Sequence, residues 1–395
     1  MPKSTKFRVV KNGDEEKKSF KMKILDHRLT VALRIIGLVS ALILVVVILV
    51  MHYNNQIYTE INVLSQVERV SSSNNSYMDN VGSVIIYSED GVSCMNEKGA
   101  ALWNMTYEMQ NPIVKKNGDY VVVADNNGHI VYAVDSSSKV YEVDTQLPVR
   151  DVAVSENGLI AAVVEDTNNS WVYMYDINGT QLVEIKATMT KTGYPMSVSL
   201  SGEVMAVSYL YVDSDSMKSI VTFYNFGGVG ETVTDRIVSS YEYMDSVVPV
   251  VSFMDKENIF AVGDSRLMFY NGSTKPVSTA DVILDENIVG VYYSSNYVGL
   301  VFYDTTGDYK YRLDLFNKSG TKTMSYSFDI DYKDILISNN QVMIYNESSC
   351  VIISSDGSEK YNGSFYDPVQ FVASTESAKK FILVTSDSID MVRFE

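Results

Sequence analysis

PIVKKNGDYVVVADNNGHIVYAVDSSSKVYEVD, residues 112–144, contains the pattern that decides the fold of this chain. Four short runs rich in valine and tyrosine are separated by turns of Asn, Gly, Asp and Ser. β-Branched and aromatic residues favour strands, whereas Gly, Asn and Asp favour the tight turns between them. The segment therefore predicts four consecutive short strands. The second, YVVVAD, is apolar enough to be covered on both faces.

The four-strand unit recurs along the rest of the chain, and no helical period of 3.6 residues persists there. Further copies begin at Pro148, Pro195, Pro249, Ile288, Asp334 and Pro368. Four-stranded repeats of about 40–50 residues are typical of a β-propeller. We predict an all-β propeller domain over residues 81–395. It has eight blades if VERVSS (67–72) is the first strand of the opening unit, the preferred reading, and seven if it is not. In the eight-blade ring the last blade is three-stranded or is completed by an N-terminal strand.

A second pattern lies near the N-terminus, where residues 35–51 read IIGLVSALILVVVILVM without a charge or a proline. Crossing a bilayer as a helix takes about 20 mostly apolar residues. We predict one transmembrane helix over residues 31–52, which makes the lipid bilayer a partner. The predicted lipid-embedded residues include Ile35, Gly37, Leu44 and Val50. No small-residue cleavage site follows, which favours an uncleaved signal-anchor over a signal peptide.

Charge is distributed unevenly about this apolar run. Residues 1–51 have a net charge of +6, and the chain total is −17, so the remainder carries −23. Basic residues close to a first span stay cytoplasmic. We therefore predict a cytoplasmic basic tail over residues 1–30, a stalk and linker over residues 53–80, and an extracellular propeller. An acidic domain of this kind repels nucleic acid, so no nucleic-acid partner is expected.

One stretch carries a family resemblance: residues 99–135, GAALWNMTYEMQNPIVKKNGDYVVVADNNGHIVYAVD, resemble the repeat of quinoprotein-type and WD40-like β-propellers. The matching residues are Gly99, Leu102, Trp103, Pro112, Gly128, Val131, Tyr132, Ala133 and Asp135. The overall layout is similar to an uncharacterised family of membrane-anchored propeller proteins of Gram-positive anaerobic bacteria. This second resemblance implies no activity, and it implies a bacterial cell membrane as the location.

Residues suited to catalysis are scarce in the predicted extracellular part, which contains only His52 and His129 as histidines. Zinc sites and Ser-His-Asp triads both depend on histidine. Residues 125–128 (DNNG) and 304–308 (DTTGD) place oxygen ligands close together, as calcium loops do. Such clusters are also ordinary hairpin turns, which is the preferred interpretation. We nominate no catalytic, cofactor-binding or metal-binding residue and expect no cofactor.

The two cysteines, Cys94 and Cys350, fall in third strands of different units. They are predicted to be buried free thiols, because third strands of separate blades seldom approach within disulfide distance.

The expected function is binding or scaffolding without catalysis, with an extracellular protein, peptide or glycan as the partner. Long loops in the unit that begins at Pro195 suggest a contact surface, since binding residues concentrate on loops. Its candidate residues are Tyr209, Tyr211, Asp213, Asp215 and Tyr224. Two alternatives stay open: a quinoprotein-like or hydrolase-type propeller enzyme, and a cell-envelope assembly factor.

Overall fold

The computed structural model describes residues 20–54, 56–69, 74–167, 169–187, 193–212, 217–244 and 246–395. The chain forms two units, Met1–Gln56 and Ile57–Glu395. In its described part the first unit contains one helix, α1 (Phe20–Asn54). The described part of the second contains 32 strands and two short 3-10 turns, Gly230–Thr232 and Thr234–Arg236.

Helix α1 is a candidate membrane span. Its segment His27–Val46 has a mean hydropathy of 2.6, and none of it is buried within the protein. A helix that is apolar all round and left uncovered is suited to a lipid environment. The predicted transmembrane residues Ile35, Gly37 and Leu44 lie in this segment, and Val50 lies further along the same helix.

The strands of the second unit form eight four-stranded antiparallel sheets, the blades. In blades 1–7 the strands follow chain order, and in most neighbouring pairs of blades the two first strands pack against each other. The strands of blades 1–4 are β2–β5 (Ser76–Asn80, Ser83–Ser88, Gly91–Asn96, Ala101–Thr106), β6–β9 (Pro112–Asn117, Tyr120–Asp125, Ile130–Val134, Val140–Asp144), β10–β13 (Val149–Val154, Ile160–Glu165, Ser170–Tyr175, Gln181–Ala187) and β14–β17 (Tyr194–Ser201, Val204–Val212, Met217–Asn225, Ile237–Met244).

Blades 5–7 continue the pattern, and blade 8 closes the ring. The strands of blades 5–7 are β18–β21 (Val250–Phe253, Asn258–Val262, Arg266–Asn271, Val277–Ile283), β22–β25 (Ile288–Tyr293, Tyr297–Tyr303, Tyr311–Asn317, Lys322–Phe328) and β26–β29 (Asp334–Ser338, Gln341–Tyr345, Ser349–Ser354, Glu359–Ser364). Blade 8 consists of β30–β32 (Val369–Ser374, Lys380–Thr385, Ser388–Phe394) with β1 (Ile61–Glu68) as its outer strand. The predicted eight-bladed all-β propeller is confirmed.

The start of the propeller differs from the prediction. Residues 53–80 were predicted to be a stalk and linker, which is wrong for β1 and β2 because both strands belong to blades. The first strand of the opening blade is β2, and VERVSS does not supply it. Strand β1 pairs antiparallel with β32, from Ile61 opposite Phe394 to Glu68 opposite Ser388. This partner lies more than 300 residues away in the chain, so no local sequence pattern predicts the pairing.

Blade interfaces consist of apolar clusters, which explains the valine-rich second strands. Between blades 2 and 3, Val122 and Val131 share one buried cluster with Val152 and Ile160. Between blades 4 and 5 the rings of Phe223 and Tyr270 lie 5.0 Å apart. A strand covered on both faces must be apolar on both, which is why the second strands do not alternate.

Polar side chains join the first strands of neighbouring blades. The backbone N–H of Val198 donates to Asp151 Oδ2 at 3.2 Å, and that of Phe253 donates to Ser199 Oγ at 3.1 Å. At the ring closure, the N–H of Ser374 donates to Asp79 Oδ1 at 2.7 Å. These side chains bridge first strands that belong to separate sheets, and they satisfy N–H groups that would otherwise be buried without a partner.

The propeller has two faces, distinguished by their connections. The upper face carries the turns between second and third strands and the links between blades. The lower face carries the remaining turns. The chain enters β1 at the lower face, since Ile61 lies opposite Phe394 at the end of β32.

An ion pair on the lower face makes stability depend on acid pH. Lys318 Nζ of blade 6 lies 2.6 Å from Asp255 Oδ2 of blade 5. Although burial opposes it, this contact and nearby hydrogen bonds lower the pKa of Asp255 to about 2. Stability from this group is complete above the unfolded-state pKa and is lost as the pH falls towards 2. Between pH 5 and pH 2, we expect the free energy of unfolding of Asp255→Asn to fall by about 1 kcal/mol less than that of the unaltered protein. Urea unfolding at each pH measures the difference. The exposed Asp119→Asn is the control, and an equal effect of both changes would contradict the assignment.

Candidate interaction surface

The contact surface predicted in blade 4 is wrong for two of its tyrosines. Tyr209 and Tyr224 are buried against blade 3, and their hydroxyl oxygens lie 2.9 Å apart. Burial raises the pKa of Tyr224 to about 12 and raises the pKa of Tyr209 well above its ordinary value, so both stay neutral at ordinary pH. The two side chains are part of the core and cannot contact a partner in this state.

Tyr211, the remaining described residue of that predicted surface, lies at the upper end of blade 4. Strands β15 and β16 extend over nine residues each. Tyr211 is half-buried there, with Lys218 Nζ 5.2 Å from its ring centroid. The side chains of Val212, Met217 and Met244 are exposed nearby. Asp213 and Asp215 lie outside the described residues.

A row of four tyrosines runs from the first strand of blade 6 to the upper face, next to blade 7. We call Tyr292, Tyr332, Tyr311 and Tyr303 the tyrosine row. Its consecutive ring centroids are 6.2, 5.1 and 5.7 Å apart. The first two contacts are edge-to-face, and the last is stacked with an interplanar angle of 26°. Both arrangements are favourable for aromatic pairs.

Local structure explains how four elements, three strands and one link, contribute to one row. Tyr303 ends β23 and Tyr311 begins β24, directly opposite in the strand register. Tyr332 belongs to the link between blades 6 and 7. Tyr292 lies on the first strand of blade 6, with its ring over Gly290, where an added Cβ would lie only 2.8 Å from the ring. The glycine is therefore required for this ring position.

The row is partly buried at its inner end and open to solvent at its outer end. Burial raises the pKa of Tyr292 and of Tyr332. Tyr303 is 61% exposed, and the neighbouring Tyr309 is 49% exposed. An exposed ring stacked on a supported ring has a fixed orientation, which suits it to contact another molecule.

Acidic residues surround the open end of the row. Asp304 and Asp308 lie in the turn after Tyr303, and Asp329 and Asp331 lie in the link that leads to Tyr332. Lys310 forms an ion pair with Asp331, and its Nζ lies 5.2 Å from the Tyr311 ring centroid. The hydrogen bond from the ammonium to Asp331 raises the pKa of Lys310. This surface already accommodates one ammonium group.

The two turns considered as calcium loops use their leading carboxylates within the protein. Asp304 Oδ1 accepts the backbone N–H of Thr306 at 3.0 Å. Asp125 Oδ1 accepts the backbone N–H of Asn111 at 2.8 Å. Within the described residues, no group of three or more His, Cys, Asp or Glu is placed to hold a metal ion.

The first strands also bring together ionisable groups that sequence reasoning missed. Lys116 Nζ donates to Asn80 Oδ1 at 3.3 Å, and burial lowers the pKa of this lysine. Asp334 accepts the N–H of Ile335, and burial together with the charge of Asp79 raises the pKa of Asp334. The only sequence signal for these ionisable groups on the first strands is a pair of lysines within the β6 run, PIVKKN.

A cavity of about 510 Å³ lies between β1 and blade 1. Val67, Met95, Met105 and Ile389 are among its apolar lining residues, and Arg69 is among its polar ones. The volume is within the range of small-molecule sites.

Cys94 and Cys350 are both buried and free, as predicted, in the third strands of blades 1 and 7.

Solved structures share the fold at very low sequence identity. Apo AztD from Citrobacter koseri is 9% identical, with a TM-score of 0.51 over 75% of this chain and 86% of that chain. BamB from Moraxella catarrhalis is 12% identical, with a TM-score of 0.49 over 85% and 100% of the two chains. The Cps50 (Swd1) β-propeller domain from Myceliophteria thermophila is 10% identical, with a TM-score of 0.46 over 85% and 100%.

These likenesses concern the fold alone. No curated protein sequence matches the chain. A family match covers residues 54–394, nearly the whole of the second unit. The predicted membership of an uncharacterised propeller family is thereby confirmed, and the chain belongs to the Family of unknown function (DUF5711).

Proposed function

We propose that this protein is a membrane-anchored binding protein that holds its propeller outside the cell and recognises a partner through the tyrosine row, without catalysis. The observation that carries the proposal is Tyr303, an exposed ring held in place by its stacking on Tyr311. Rigid aromatic side chains supply large contact areas at low entropic cost, and they are frequent at binding hot spots.

The anchor and its orientation rest on helix α1 and on the charge of its flanks. The segment His27–Val46 is long and apolar enough to span a bilayer. The net charge of +6 over residues 1–51 favours a cytoplasmic N-terminus. The upper face carries the tyrosine row, and the chain enters the propeller at the lower face. Strand β1 is the outer strand of blade 8, so it does not cover the tyrosine row of blades 6 and 7.

Thiol labelling tests the orientation. The native cysteines are buried, so a cysteine introduced at the exposed Leu182 is the main target for a membrane-impermeant maleimide. We expect Leu182→Cys to be labelled in intact cells, and Ser4→Cys in the N-terminal tail to be labelled only after lysis. The reverse pattern would place the propeller in the cytoplasm and contradict the proposal.

Site-specific photocrosslinking tests the binding surface in the full-length protein. We expect benzoylphenylalanine at position 303 to capture a discrete partner in intact cells, because this ring projects from the upper face. Tyr293 is the matched control, since it is 51% exposed on the same blade but ends β22 at the lower face. The proposal fails if position 303 gives no crosslinked product, or if both positions give the same one.

A further inference from the structure

We infer that the tyrosine row binds a lysine- or arginine-bearing segment of a partner protein. The inference rests on the proposed function and names the partner chemistry of the same surface. Three features support the inference: the tyrosine row, the carboxylates around its open end, and the position of Lys310.

The aromatic part provides a site for a cation. The face of a tyrosine ring attracts ammonium and guanidinium groups within about 6 Å of its centroid. Tyr303 presents an exposed ring, and Tyr309 lies in the same turn with about half of its surface exposed. A guanidinium can stack on such a ring and still reach a neighbouring carboxylate.

The negative charge around the rings favours a positively charged ligand. Residues 304–310 and 329–333 contain more acidic than basic side chains. The acidic ones are Asp304, Asp308, Asp329 and Asp331, and the basic ones are Lys310 and Lys333. Lys333 is already paired with Glu347 at 3.4 Å. Complementary charge steers encounter and fixes partner choice, so a basic segment is favoured over an acidic one.

Lys310 shows how a cation fits this surface. Its ammonium lies near the Tyr311 ring and also forms an ion pair with Asp331. A partner's lysine or arginine would repeat this pairing one ring further out, between Tyr303 and the remaining carboxylates. A neutral saccharide would stack on the same rings but would gain no comparable ion pair.

The surface is organised before binding. Asp304 holds the turn through Thr306, with Oδ2 accepting from Thr306 Oγ1 at 2.9 Å. The backbone N–H of Lys310 donates to Asp329 Oδ1 at 2.9 Å, which ties the turn to the link between the blades. Pre-ordered loops lose less entropy when a ligand binds.

Fluorescence anisotropy of the full-length protein in neutral detergent tests the inference, with a labelled, N-acetylated tetra-arginine peptide as the probe. We expect Tyr303→Ala to weaken binding about tenfold and Tyr293→Ala to leave it unchanged. Asp308→Asn should weaken binding more than the exposed Asp119→Asn on the lower face. Raising the salt from about 50 mM to about 500 mM should weaken binding further.

Several outcomes would overturn the inference. They are equal effects of Tyr303→Ala and Tyr293→Ala, equal effects of the two aspartate changes, or Tyr303-dependent binding of chitotetraose without binding of the peptide. Self-association that is lost in Tyr303→Ala would identify a second copy of the chain as the occupant. One result separates the two proposals: position 303 captures a partner, but the peptide binds the unaltered protein no more tightly than it binds Tyr303→Ala. That result would leave the proposed function standing and remove only the basic-segment inference.

Discussion

A chain in which residues 61–68 are replaced by a Gly-Ser sequence of equal length is expected to lose at least about 5 kcal/mol of its free energy of unfolding. Strand β1 supplies the fourth strand of blade 8 and pairs with β32 along the whole of β32. Without it, the N–H and C=O groups of β32 that face β1 lose their partners and form an open edge, whereas those that face β31 stay paired. Such edges pair with other chains. The loss should appear as unfolding at much lower urea concentration and as aggregation measured by light scattering.

The control for this change keeps the strand and alters only its exposed apolar side chains. Val63 and Leu64 are 45% and 44% exposed. Because threonine also favours strands, Val63→Thr with Leu64→Thr is expected to change stability by no more than about 0.5 kcal/mol. An unchanged urea midpoint in the Gly-Ser chain would show that the ring closes without β1.

The second large effect is expected for Phe394→Ala, at about 3–5 kcal/mol. The Phe394 side chain is fully buried, and its ring centroid lies 4.9 Å from that of Tyr361 in blade 7 and 5.5 Å from that of Phe381 in blade 8. Tyr58, just before β1, packs on it at 6.2 Å. Removing the ring leaves a cavity where two blades and the N-terminal strand meet. Urea unfolding of the full-length protein followed by fluorescence measures the loss.

Tyr293→Ala removes an aromatic ring of similar size from a half-exposed position. It is expected to cost about 1 kcal/mol or less. Equal destabilisation by Phe394→Ala and Tyr293→Ala would mean that the closure cluster contributes nothing beyond ordinary surface contacts.

Most of the architecture could be predicted because its signals are local. The run YVVVAD and its equivalents show a strand covered on both faces, and the KNGD and DNNG turns separate neighbouring strands. The number of blades was harder to predict, because it depends on which strand completes the last blade and closes the ring. Strand β2, SYMDN, is short and polar, so its sequence resembles a linker. Its place as a first strand is visible only in the ring.

The candidate surface was predicted in the wrong place for a physical reason. Alternation along a strand shows which side chains share a face, but not which face a neighbouring blade covers. Tyr209 and Tyr224 are core residues because blade 3 packs over them. Tyr303 and Tyr311 appear in the sequence as tyrosines next to aspartate and lysine, a weak signal of a surface position. Nothing local indicates that Tyr332, about twenty residues later, completes the row.

By itself the sequence determined the apolar helix, the repeated four-strand unit and the acidic character of the second unit, because hydrophobic pattern, turn residues and charge act over neighbouring positions. Only the tertiary structure decided that β1 closes blade 8 and that four tyrosines from separate elements form one row. Both depend on contacts between residues far apart in the chain. The energy of such contacts comes from shared burial and strand pairing, which no single segment contains.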